Sequence, residues 1–313
     1  MKKLLAAFLL TSTFLLGACG KGSEQAPEES QDLQVITTFY PMYEFTKEVV
    51  GDTGKVSLLI SAGTEPHDYE PSAKDMAKIM DADAFVYNSS ELETWVPTMT
   101  DSIDTDKTAV IEAAKEIDLA ENDDDHGETE AEHGSEAHTH ELDPHVWTDP
   151  VMAIKEVETI RDQLSEKFPT KANTFKKNAA AYIEQLKALD QEYTDALKDA
   201  DNRTFVTQHA AFGYLAKQYD LVQESIAGLS PDQEPTPSRL AELKEYVEDH
   251  QVKVIYFEEN ASSKVAETLA SETGVELAVL NPLESLTEKQ ISDGETYITV
   301  MKENLQALQK SIK

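Results

Sequence analysis

Apolar positions follow two alternating rhythms along this chain. Short runs rich in β-branched and aromatic residues, at 34–39, 55–60, 84–87 and 108–111, alternate with helix-like segments at 42–50, 73–81 and 91–102. Ser72 with Asp75 three positions on has the form of a capping box and sets the start of helix 73–81. The alternation returns later in the chain. Runs at 203–207, 221–226, 253–257 and 276–280 enclose helical segments at 210–218, 238–249 and 262–272, and a last helix carries Ile298, Met301, Leu305, Leu308 and Ile312. Strands that alternate with helices pair in parallel and are covered on both faces. The expected fold class is α/β, with two lobes that each hold a parallel four-stranded sheet flanked by helices.

Between the two sets of strands the period is purely helical. Asp149-Pro150 reads as an N-cap followed by proline at the first helical position. Ile154, Val157, Ile160, Leu164 and Phe168 then form one stripe, which Pro169 ends. Phe175, Ala179, Tyr182, Leu186, Leu189, Tyr193 and Ala196 form a second, with no Gly or Pro from Thr170 to Phe212. A helix over 172–200 would span roughly 44 Å at about 1.5 Å per residue. It therefore predicts one long rigid helix, 171–200, joining a lobe at 33–170 to a lobe at 201–313.

The N-terminus adds a different signal. Lys2 and Lys3 precede an apolar run from Leu4 to Leu16, so residues 1–18 read as a signal peptide. The run is too short for a confident membrane span. Cys19, the only cysteine, follows in Leu-Gly-Ala-Cys and excludes an internal disulfide. That stretch resembles the lipobox of bacterial lipoproteins, which implies lipidation at Cys19 and a polar tether over 19–32. The expected location is extracytoplasmic, anchored to the cell membrane by the lipid on Cys19. The net charge of −33 disfavours nucleic acid as a partner.

Residues 121–141 interrupt the pattern, with no Val, Ile, Leu, Phe, Tyr or Trp. Four of the eight histidines, His126, His133, His138 and His140, fall there. The segment reads as a solvated loop. Its histidines are candidates for collecting metal weakly and passing it inward. A chain lacking the loop that acquires zinc as fast as the intact chain at limiting zinc would remove that role.

The stronger candidates lie just past strand ends, where open α/β sheets place ligands. His67 follows run 55–60, His209 follows 203–207, Glu284 follows 276–280, and His145 precedes a helix start. Three imidazoles and a carboxylate suit a tetrahedral ion, zinc first. Four protein donors leave no open position for a reactive water, which favours capture over catalysis. Glu258 and Glu259 also follow a strand and on position alone compete with Glu284. His140-Glu141 does not begin a zinc-protease motif, because Pro144 stands where a histidine is required. Glycine-rich phosphate loops and serine-nucleophile elbows are absent. His250 reads as a helix C-terminal histidine, and Trp95 and Trp147 as packing residues, with Trp147 a candidate to shield the site.

The ordered motifs Glu-Pro-His67-Asp-Tyr-Glu-Pro, Asp-Pro-His145-Val-Trp-Thr-Asp-Pro, Thr-Gln-His209-Ala-Ala-Phe-Gly-Tyr and Asn-Pro-Leu-Glu284 resemble the metal-binding lipoproteins of bacterial ABC transporters. The resemblance covers nearly the whole chain after the leader and implies a fold like that of periplasmic binding proteins. Manganese members carry glutamate at the third ligand position and usually aspartate at the fourth. His209, Glu284 and the histidine-rich loop are similar to the zinc branch, and the Asn-Pro-Leu-Glu context selects Glu284. The resemblance implies a monomer that binds Zn2+ and delivers it to the ABC permease of a zinc importer. A manganese-binding lipoprotein and a surface adhesin with a bound zinc are the rival readings.

Overall fold

The structure is a computed structural model, and it describes residues 32–121, 142–233 and 235–312. Strands β1 (Leu33–Thr37), β2 (Gly54–Leu58), β3 (Ala84–Tyr87) and β4 (Ala109–Glu112) form an all-parallel sheet in the order β2-β1-β3-β4. Strands β5 (Thr204–Thr207), β6 (Val222–Ser225), β7 (Val254–Phe257) and β8 (Glu276–Val279) form a second, in the equivalent order β6-β5-β7-β8. In each sheet the chain reverses direction of growth between its first and third strands, which opens a crevice at their carboxyl ends. The central strand β3 is buried at all four positions, as a two-sided parallel strand must be, whereas edge strand β6 leaves Val222 half exposed.

Helices α1 (Tyr40–Val50), α2 (Ala73–Asp81) and α3 (Val96–Thr100) accompany the first sheet. The Ser72 side chain accepts the Asp75 N–H while the Asp75 carboxylate accepts the Ser72 N–H, the reciprocal pair expected from the sequence. Helix α3 is shorter than the segment 91–102. Glu93 folds back to accept hydrogen bonds from the backbone of Asn88 and Ser89 and from the Thr38 hydroxyl at 2.6 Å, so Leu92–Trp95 turn instead of winding. Helix α4 (Pro150–Lys167) starts on Asp149, whose carboxylate accepts the Val151 N–H at 2.8 Å.

Helix α5 (Ala172–Leu197) runs about 39 Å at about 1.5 Å per residue. Asn178 near its start donates to the Val49 carbonyl of α1, and Tyr193 near its end donates to the Met301 carbonyl. Its buried face, from Phe175 to Leu197, joins residues of both sheets, such as Val35 and Tyr256, in one hydrophobic core. The described residues accordingly pack as one compact unit. Helices α6 (Gly213–Gln218), α7 (Pro237–Asp249) and α8 (Lys264–Thr273) flank the second sheet, and α10 (Tyr297–Leu308) follows. The expected helix 210–218 begins only at Gly213, because the His209 carbonyl, which would accept the first bond of a helix starting at 210, is taken by Thr207 Oγ1 and Gln223 Nε2. A short α9 (Glu288–Asp293), opened by Thr287 and closed by Gly294 at φ 78°, lies in a stretch without an apolar stripe to announce it.

Among the buried polar atoms without a hydrogen-bond partner, one carboxylate has both oxygens unpaired. Glu156, on the core face of α4, is fully buried, and neither carboxylate oxygen has a hydrogen-bond partner among the described residues. Burial, and then the neighbouring Glu93, holds its acid form well above the ordinary carboxylate range. The folded state therefore keeps a proton that the unfolded chain gives up, and stability falls as pH rises above about 4.3. Glu156→Gln is expected to match the parent near pH 4 and to be the more stable protein at neutral pH. The gap should widen by up to about 1.4 kcal/mol per pH unit. Chemical denaturation at pH 5 and pH 8 measures it, and equal stability differences at the two pH values would refute the assignment.

Candidate metal centre

The four candidate side chains converge. One donor atom from each of His67, His145, His209 and Glu284 lies within 4.8 Å of every other. The Glu284 Oε1 stands 3.3 Å from His67 Nε2, 3.4 Å from His145 Nε2 and 3.1 Å from His209 Nε2, and the Nε2 atoms of His67 and His145 are 3.2 Å apart. An ion held tetrahedrally at about 2.0–2.1 Å from each donor separates neighbouring donors by about 3.3 Å. These four spacings bracket that value, and the remaining two pairs, His209 with His67 and with His145, lie within 4.8 Å.

Each donor is delivered by a strand end or a constrained turn. His209 stands two residues past β5, and its carbonyl accepts from Thr207 Oγ1 at 2.7 Å and Gln223 Nε2 at 3.1 Å. Its Nδ1 meets Glu258, just past the adjacent strand β7, at 2.5 Å. The two residues thus come from the two strands that bound the crevice of the second sheet. His145 has Nδ1 at 2.7 Å from Asp143 Oδ1, and the same oxygen accepts the His145 N–H at 2.9 Å. In the neutral ring both carboxylates hold the proton on Nδ1 and leave the Nε2 lone pair facing the centre.

The His145 turn is bound from both sides. Asn88, past β3, donates to the Pro144 carbonyl at 2.9 Å. From the other side Tyr214 donates to the Asp143 carbonyl, and the Trp147 indole donates to the Pro282 carbonyl at 2.7 Å. Trp147 is fully buried, with its ring 5.1 Å from that of His145, so it both packs and excludes water on that flank. Trp95 packs against Phe85 and Tyr69, away from these contacts.

Glu284 follows Leu283, a buried non-glycine residue at φ 63°. That strained conformation is held by the Asn281 side chain, which accepts the Leu283 N–H at 2.7 Å, and by reciprocal bonds between Asn281 and Asn304. The strain turns the next residue inward, so Glu284 reaches the centre. Glu258 stands behind His209 instead, and Glu259 is exposed. His250 stacks on Tyr246 at the end of α7, remote from the cluster.

Charges at the centre are mutually dependent. Burial opposes ionisation of Glu284, but His209, His145 and His67 together hold its carboxyl well below the usual range. Burial acts to lower His209 as well, yet Glu258 and Glu284 overcome it and raise the ring well above 6.5. His145 is raised likewise, with Asp143 and Glu284 outweighing burial. Burial dominates at His67 and lowers it. Glu65, whose carboxylate accepts the His67 N–H at 3.1 Å, is pushed up to about 8 by burial and by Glu284.

Of the three supporting carboxylates, Asp143 and Glu65 were not singled out from the sequence, and Glu258 was read there only as a rival ligand to Glu284. Two had a readable signal: Glu65-Pro66-His67 and Asp143-Pro144-His145 share an acid two residues before the histidine, and in both the acid accepts that histidine's N–H. Glu258 gave no such signal, since it lies 49 residues from His209. His126, His133, His138, His140 and Cys19 lie outside the described residues. Among the described residues no helix is long and apolar enough to cross a membrane.

Residues 35–311 match the family described as zinc-uptake complex component A, periplasmic. The zinc-binding lipoprotein AdcA of Streptococcus pneumoniae serotype 4 is 53% identical over 311 residues, covering 99% of this chain and 61% of that protein. The chain therefore spans less than two thirds of that relative's length. The high-affinity zinc uptake system protein ZnuA of Bacillus subtilis strain 168 is 50% identical over 314 residues, covering 99% of this chain and 98% of its own. The crystal structure of the Zn(II)-bound ZnuA-like domain of S. pneumoniae AdcA superposes with a TM-score of 0.76 at 54% identity, covering 90% of this chain and 98% of that one.

Proposed function

The chain belongs to the zinc-uptake complex component A family, and from that premise we propose that it captures Zn2+ outside the cytoplasm and delivers it to the permease of an ABC importer. The observation that carries this reading is the convergence of three imidazoles and one carboxylate at tetrahedral spacing. His67, His145, His209 and Glu284 are the ligands in this proposal. That donor set suits zinc, whereas manganese is better served by more oxygen. With four protein donors the ion has no position left for a nucleophilic water, so the chain holds its cargo and does not act as an enzyme. His126, His133, His138 and His140 gather zinc weakly ahead of the site. A lipid on Cys19 keeps the monomer at the membrane, near its permease.

The test is competition. The chain lacking residues 1–32, offered zinc and manganese together, is expected to retain one zinc per molecule. Chelation should then empty the site without unfolding the chain, because the shared core does not depend on the four ligands. Preference for manganese would transfer the reading to a manganese importer. Binding of neither metal would overturn it.

A further inference from the structure

The four donors are not held alike. His145, His209 and Glu284 have side chains no more than 5% exposed, and both of those histidines have Nδ1 bonded to a carboxylate. His67 is 11% exposed, and its Nδ1 has no hydrogen-bond partner among the described residues. Its ring position therefore depends on the backbone of the loop 59–72, between β2 and α2.

Apart from the His67–Glu284 contact itself, one hydrogen bond fastens that loop to the turn that carries Glu284. The Gly63 N–H donates to Ser285 Oγ at 2.7 Å, across 222 residues of sequence. Gly63 sits at φ 71° with open space around the place a Cβ would occupy, so the conformation, not crowding, calls for glycine. Ser285 is buried and is itself held, because its carbonyl accepts from Asn260 Nδ2 at 2.9 Å. Glu284 and the anchor of the His67 loop are thus neighbouring residues on one rigid turn.

We infer that Ser285 is a positioning residue for metal retention: its hydroxyl latches the His67 loop to the Glu284 turn and so sets how long a bound ion stays. It touches no ion itself. Opening the latch leaves three donors in place and frees the fourth, which accelerates release without removing a ligand. The inference rests on the four-ligand reading above.

The experiment follows zinc leaving the preloaded chain into excess chelator, by stopped flow, for the parent, Ser285→Ala, Ser285→Thr and His67→Ala. Ser285→Ala loses one hydrogen bond and is expected to release zinc about two- to tenfold faster. Its stoichiometry should stay at the parental value, and its metal-free melting temperature should fall by no more than about 2–4 °C. Ser285→Thr keeps the hydroxyl and should restore slow release. Parental release by Ser285→Ala, or equal acceleration by Ala and Thr, would overturn the latch. If His67→Ala accelerates release and Ser285→Ala does not, only the latch fails. If His67→Ala leaves release unchanged, the ligand reading itself has failed.

Discussion

His209→Ala is expected to abolish tight zinc binding while the chain still folds. His209 is tightly constrained: it is fully buried, its carbonyl is held by two hydrogen bonds, and its Nδ1 is fixed by Glu258. The alanine removes one of the four donors and would leave both Glu258 and Glu284 facing a void. Loss of a supporting partner costs a metal site roughly 10–100-fold in affinity. Glu258→Gln should fall in that range, because the ring remains but loses its charged acceptor. His209→Ala should fall well beyond it. Competition titration against a zinc chelator orders the three proteins. His209→Ala and Glu258→Gln weakened equally would mean that His209 acts only through its packing.

Zinc affinity should also decline as pH falls, beginning above the ordinary histidine range. In the metal-free chain the carboxylates around His209 and His145 hold both rings protonated to higher pH than a free imidazole. Zinc needs the neutral rings and must displace those protons. The sign is fixed: affinity is greatest above the raised His209 and His145 values and falls as pH drops through them. His67, lowered by burial, joins only below 6.5. Each protonated ligand adds about a tenfold loss per pH unit, so the curve steepens downward. Calorimetry at pH 7 in buffers of different ionisation enthalpy should register release of at least one proton per zinc bound. Affinity that stays flat from pH 8 to pH 5 would contradict a three-histidine site.

Much of the architecture was legible because it is written in local periodicity. Every strand run forecast from β-branched and aromatic clusters is present within two residues at each end, and the Ser72 and Asp149 caps form as their spacing requires. The helix 91–102 is shortened to Val96–Thr100 because Glu93 turns back onto the backbone just past β3 and onto the Thr38 hydroxyl, 55 residues away. Helix 210–218 started late because the His209 carbonyl is taken by the Thr207 hydroxyl and by Gln223 of β6.

The sequence alone determined which residues could become donors, since strand ends followed by histidine or glutamate are local features. It also determined the alternation that yields two parallel sheets. Only the tertiary structure decided that four donors separated by up to 217 residues share one point. The Asn-Pro-Leu-Glu resemblance favoured Glu284 over Glu258, but only the tertiary structure gives the physical reason: the two flank neighbouring strand ends of one sheet and differ in which way the chain turns after them. The strained Leu283 aims one inward, and the His209 ring intercepts the other. Direction at a turn depends on hydrogen bonds to distant residues such as Asn304, and no local pattern encodes those.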